Sequence, residues 1–260
     1  MNTETTNVQT PEDRELAKKR FELEALQATL AERELELATL HAELHSFEQH
    51  YLRTVGRLYA ELDEVEAQIA EAIAKQAPKN ESAQEKAAHA RSRAQASSQA
   101  VGFALGPEAS SEFKVSDNLK KLYREIAKRI HPDLANDEED RKRRHEIMAE
   151  ANRAYAEGNE ARLRMILHEW SMSPDAVSGD GTGADLVRVI RKIALIEARL
   201  QSIGEEITRL SSNDLYRLRL RADTAKTEGR DLLAEMSTSL DGRIVNARNK
   251  LASVQGRSHL

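Results

Sequence analysis

An imidazole and a carboxylate stand two residues apart at the end of a cationic segment: His131 and Asp133, separated by Pro132. Such a pair is raw material for general acid–base catalysis. The sequence offers nothing to complete that chemistry, because no second carboxylate, nucleophile or Gly-rich phosphate loop accompanies it at a recognisable spacing. The remaining readings are an ordinary helix stop or a polar contact made to another macromolecule. No catalytic residue is assigned and the chain is not expected to be an enzyme. Arg141–Arg144 (RKRR) has the composition of a nucleic-acid or nuclear-localisation patch. The acids Asp137–Asp140 (DEED) directly precede it, so ion pairing along a helix is the expectation and nucleic acid is not an expected partner. His145 and His168 are expected on helix surfaces, with no metal-ligand constellation and no cofactor.

The elements that must position the pair are helical. From Asn118 to Ile130, the apolar positions Leu119, Leu122, Tyr123, Ile126 and Ile130 fall at helical spacing. Lys120, Lys121, Arg124, Lys128 and Arg129 occupy the opposite side. Ser116 or Asp117 can cap the start, since a side-chain oxygen accepts from the orphan amides of a first turn. Pro132 ends the helix near Ile130 because the residue before a proline is pushed out of the helical region. His131 and Asp133 are then expected to be presented on a loop beside the cationic face. The DEED run suits the first turn of the next helix. Met148, Ala151, Ala154 and Tyr155 lie on that helix's apolar side, with Ile147, facing the first helix as an antiparallel hairpin. Gly158 is expected as its αL cap. A closing helix, Glu160–Trp170, covers the hairpin with Leu163, Ile166, Leu167 and Trp170.

With these residues in place, the segment resembles the J-domain, the DnaJ-type co-chaperone module. His131, Pro132 and Asp133 match its signature tripeptide, and Tyr123 falls where that family carries a helix-two tyrosine. Met148, Ala151, Asn152, Ala154 and Tyr155 fall on its third-helix signature, with Met and Ala in place of the usual Phe and Ile. The resemblance covers about 55 of the 260 residues. It also extends, more loosely, to a bacterial group of J-domain proteins with coiled-coil arms. The family's first helix is not recognisable before Leu119, and residues 101–113, with Phe103, Leu105 and Phe113, are the candidates to replace it. The resemblance implies that the cationic face, Lys120, Lys121, Arg124, Lys128 and Arg129, docks on an acidic surface of a DnaK-class ATPase chaperone. His131, Pro132 and Asp133 would then favour ATP hydrolysis by that partner.

The rest of the chain is built for long helices. Charged residues make up 32% and aromatics only 4%, a composition of coiled coils rather than of a large core. The net charge of −5 argues against wholesale nucleic-acid or membrane binding. The chain has no cysteine, no signal-peptide-like apolar stretch at its start and no apolar run of spanning length. A soluble, cytoplasmic protein is expected.

Residues 1–10 read as a disordered lead-in. Over 11–76, Leu16, Leu23, Leu30, Leu37, Leu44, Tyr51, Leu58 and Val65 recur at heptad spacing. A second row, Leu26, Leu40 and Phe47, slides one place near residue 55 to Val55, Leu62 and Ile69. Arg33, Thr54 and Gly56 weaken the seam locally. Such a rod, roughly 100 Å at about 1.5 Å per residue, needs a partner stripe, and homo-oligomerisation through coiled coils is expected. Residues 77–111 read as a linker with a weak Ala-rich helix, 112–170 as the J-like module and 171–183 as a second linker. In 184–255, Leu186, Ile193, Leu200 and Ile207 pair with Val189, Ile196, Ile203 and Leu210 as a second seam. Ser211–Asp214 interrupts it, which points to an antiparallel helical hairpin, with straight continuation as the alternative. The first 80 residues are acidic and the tail basic, so docking of the two arms within or between chains is a further expectation.

The fold expected is all-α: a J-domain-like antiparallel hairpin between an N-terminal coiled-coil helix and a C-terminal coiled-coil hairpin. The function expected is co-chaperone action on a DnaK-class ATPase, with the client unspecified. The alternative is a coiled-coil scaffold that uses the module only for protein contacts.

Overall fold

The computed structural model describes residues 10–104, 115–135, 137–171 and 182–256. The expectations for the lead-in before Thr10, for Leu105 and Phe113 and for most of the second linker lie outside them. Every regular element among the described residues is helical, so the all-α expectation holds. The helices are α1 (Pro11–Tyr51), α2 (Arg57–Gln76), α3 (Glu81–Ala104), α4 (Asp117–Ile130), α5 (Glu138–Ala156), α6 (Glu160–Ser171), α7 (Thr182–Ser211), α8 (Asp214–Thr227) and α9 (Leu232–Gly256). None of them is long and apolar enough to cross a membrane. The chain divides into two compact units, one from Met1–Glu43 with Phe113–Ser212, the other from Leu44–Glu112 with Asn213–Leu260.

In the first unit, α4, α5 and α6 close around one core. Ser116 caps α4, accepting from the Leu119 amide at 3.0 Å, and Asp137 caps α5, accepting from that of Asp140 at 2.8 Å. α5 stops where Gly158 takes a φ of +69°. The amides of Gly158 and Asn159 then donate to the carbonyls of Tyr155 (3.0 Å) and Ala154 (2.8 Å), satisfying acceptors the helix end would orphan. Tyr123, Ile126, Ile130, Met148, Ala151, Ala154 and Tyr155 are buried together, and Leu122 is half-buried against them. Leu163 and Ile166 of α6 complete the layer.

The helix laid against this core is α1, through Ala31, Leu35 and Ala38, and Thr39 hydrogen-bonds the Tyr155 hydroxyl at 2.8 Å. The heptad reading of the sequence passes over this second stripe, because two of its three residues are alanines. Small side chains let α1 approach closely while its Leu row faces elsewhere.

That Leu row faces α7. Leu16 packs with Val189 and Ile193, while Leu30 and Leu37 pack with Ile196 and Ile203, so the two helices run parallel. Three ion pairs fix the register: Arg20 to Asp185 at 2.9 Å, Glu34 to Arg199 at 2.7 Å and His41 to Glu206 at 3.2 Å. All three are separated by 165 residues along the chain. They occupy the positions flanking the apolar rows, as interhelical charge pairs of a parallel coiled coil do. The expected C-terminal hairpin is therefore not what buries the α7 seam. The local reading paired α7 with its sequence neighbour, whereas matching heptads and complementary charges pair it with α1. The arms dock in cis, so the seam that motivated a homo-oligomer is closed within one chain.

In the second unit, a π-turn at Leu52–Gly56 joins α1 to α2. Its wider turn accommodates one extra residue, at the place where the second apolar row slips by one. Phe47, Tyr51, Val55, Leu58 and Leu62 consequently stay in one cluster with Leu233, Leu240 and Ile244 of α9. Where the sequence reads as a linker with a weak Ala-rich helix, a tight turn after Gln76 leads into α3. α3 returns along α2 and ties to it through Arg91 with Glu64 and Glu71, and through Ser97 with Asp63. Its buried residues are small, Ala87, Ala94 and Val101, and α2 likewise buries Ala67 and Ala74. An alanine seam of this kind reads as weak in a search for large apolar side chains.

Candidate functional site

The tripeptide lies at the C-terminal end of α4, in the first unit. Pro132–Leu134 forms a single 3₁₀ turn. The Leu134 amide donates to the His131 carbonyl at 3.0 Å, and the Ala135 amide to that of Pro132 at 3.1 Å. The Asp133 amide also donates to His131 Nδ1 at 3.1 Å. That bond leaves the ring hydrogen on Nε2, pointing away from the turn.

What Nε2 meets is α1. It lies 2.9 Å from Glu34 Oε1, and the same carboxylate takes Arg199 of α7 on two atoms, Nε at 2.7 Å and Nη2 at 3.1 Å. His131 is 4% exposed and Glu34 5%, so the histidine is enclosed rather than presented on an open loop. Burial pushes the Glu34 carboxyl up. The hydrogen bonds from His131 and Arg199, with the Arg199 charge, more than offset this and leave it below the ordinary carboxylate value. Asp133 contributes to the field that stabilises the Arg199 cation. Leu134 is buried with Leu30, Leu37, Ile196 and Ile203.

The cationic side of α4 is divided. Lys120, Lys121 and Lys128 make no ion pair among the described residues. Arg124 pairs with Glu32 of α1 at 2.7 Å, and Arg129 with Glu125 of its own helix at 2.6 Å. From the RKRR patch, Arg144 turns inward: it binds Asp140 at 2.9 Å, donates to the Arg129 carbonyl at 3.2 Å and stacks on Trp170. A cation there satisfies an orphan carbonyl at the negative end of α4.

The structure thus brings His131, Pro132 and Asp133 together with residues to which sequence reasoning gave no site role: Glu32, Glu34, Leu134 and Arg199. Glu34 and Arg199 carry a legible signal in retrospect, being opposite charges that flank two seams of the same period. Comparison with protein-family models, with curated proteins and with solved structures gives no match for this chain.

Proposed function

We propose that the chain is a cytoplasmic J-domain co-chaperone that docks on a DnaK-class ATPase and stimulates ATP hydrolysis. The observation that carries this reading is a buried α4–α5 hairpin with His131-Pro132-Asp133 as a 3₁₀ turn at the end of a helix whose Lys120, Lys121 and Lys128 make no ion pair among the described residues. Free ammonium groups on one side of a rigid helix attract and orient an acidic partner, and the turn beside them offers a few directional polar groups. The co-chaperone itself supplies no reacting group. α1 covers the hairpin core through Ala31, Leu35 and Ala38.

One observation favours a second reading, a scaffold that uses the module only for protein contacts: His131 is enclosed by Glu34 and is not at the surface. Single-turnover ATP hydrolysis by a DnaK-class chaperone separates the two. Under the co-chaperone reading, the full chain accelerates hydrolysis, Asp133→Asn abolishes the acceleration, and replacing Lys120 and Lys128 by Ala weakens it with a loss of salt dependence. No acceleration by any form of the chain, including the α7-released forms below, leaves only the scaffold.

A further inference from the structure

The enclosure of His131 is not the incidental crowding of a helix end. Two acids of α1 occupy two groups that an acidic partner surface would need, Glu32 on Arg124 and Glu34 on His131. Arg199 of α7 holds Glu34 in place with two bonds. The seam between these helices also has a defect that the turn repairs. Where the second apolar row of α1 should continue after Leu26, the chain has Arg33, which points to solvent and pairs with Glu36. Ile203 of α7 is nonetheless fully buried, in a cluster that Leu134 joins from the turn. The turn therefore fills a place that α1 leaves unfilled, and α7 closes over both.

We infer that α7, zipped onto α1, is an autoinhibitory cover of the His131-Pro132-Asp133 turn, and that release of α7 is the step that lets the turn engage an ATPase chaperone. This rests on the co-chaperone reading above. With α7 in place, Arg199 and Ile203 lie over the turn, and Glu34 is committed to its imidazole. With α7 released, Leu134 loses the apolar side chains that Ile196 and Ile203 bring to its cluster, and Glu34 loses its bidentate partner. Neither the core of α4, α5 and α6 nor the stripe Ala31, Leu35 and Ala38 depends on α7. A seam of few layers with one charged position is suited to opening without unfolding what lies beneath it.

The test uses the full chain with two independent readouts. The first is carbethoxylation of His131 by diethyl pyrocarbonate, followed by peptide mass spectrometry, with exposed His145 and His168 of the same molecule as internal references. The second is single-turnover ATP hydrolysis by a DnaK-class chaperone. Ile203→Asp releases α7 by placing a charge in the seam, and Arg199→Ala is the milder variant should the first fold poorly. Leu26→Cys with Ile196→Cys places a disulfide across the seam of a chain that otherwise has no cysteine.

In the wild type His131 reacts about tenfold or more slowly than His145, as a protected site opening only transiently does. Release brings its rate to that of His145 and raises ATPase stimulation several-fold. The oxidised disulfide lowers stimulation below the wild type, and reduction restores it. Rapid reaction of His131 in the wild type, or equal stimulation by the oxidised and released forms, overturns the cover. If release exposes His131 and no form stimulates hydrolysis, the co-chaperone reading itself falls, and the cover as a regulator falls with it.

Discussion

Glu34 keeps its charge in an enclosed position because two donors from different helices converge on it, His131 from the turn and Arg199 from α7. Removing one member of a buried ion pair strands the other. Arg199 retains some solvent contact, so Glu34→Ala is expected to cost about 3 kcal/mol, the low end for such a loss, read by chemical denaturation. The pH dependence has a definite sign. The folded Glu34 carboxyl titrates below its reference value of 4.5, so its contribution is fully present above pH 4.5 and is lost as pH falls through the lower folded value. The wild type should therefore destabilise more steeply than Glu34→Gln on acidification below pH 4.5. Parallel acid-unfolding curves for the two proteins would falsify this assignment. At the same scale, the tripeptide and its hairpin core were legible in the sequence, since their residue types and spacings are local. The acid that meets His131 lies 97 residues away, and no local pattern announces it.

Among the elements, the π-turn at Leu52–Gly56 translates most directly from sequence to shape. A slip of one place in an apolar row is read as a weakness of the seam, yet the helix absorbs it by widening a single turn. Deleting Thr54 should convert that turn to regular α-helix and keep Phe47, Tyr51, Leu58 and Leu62 on one side. The thermal midpoint is then expected to move by no more than about 4 °C. Deleting Ala67 has no such reserve: it rotates everything beyond it by about 100° and pulls Ala74 out of the alanine seam with α3. A marked loss of cooperativity in circular dichroism melts is expected for that variant alone, and equal effects of the two deletions would contradict the slip reading. α3 shows the opposite failure of sequence reasoning. Alanines at heptad spacing carry little hydrophobic signal singly, but they let two helices approach closely enough for Arg91 to reach both Glu64 and Glu71.

At the scale of the whole molecule, each unit closes its own apolar surface with segments far apart in the chain. The α1 seam is satisfied by α7, and the cluster around Val55 by α9. A heptad repeat demands a partner stripe but does not say which chain supplies it. With the stripe supplied in cis, sedimentation equilibrium is expected to return the mass of a single chain, unchanged on dilution. The Ile203→Asp protein, with its α1 seam freed, is the form expected to self-associate. A concentration-dependent dimer of the wild type would show that the seams exchange between copies.

By itself, the sequence determined the helical class, the two seams, a cap at Ser116 or Asp117 and another at Gly158, the cationic side of α4 and the turn that ends it. All of these follow from interactions between residues a few positions apart, which any observer of periodicity and residue type can reconstruct. Only the tertiary structure decided that the two seams belong to each other and run parallel, that α1 carries a second, small-residue stripe for the hairpin core, and that His131 faces inward to Glu34. Those outcomes rest on pairings across roughly one hundred residues and more, where many partners satisfy the same local pattern. The one chosen is the one that satisfies charge, register and the unfilled position beside Arg33 together.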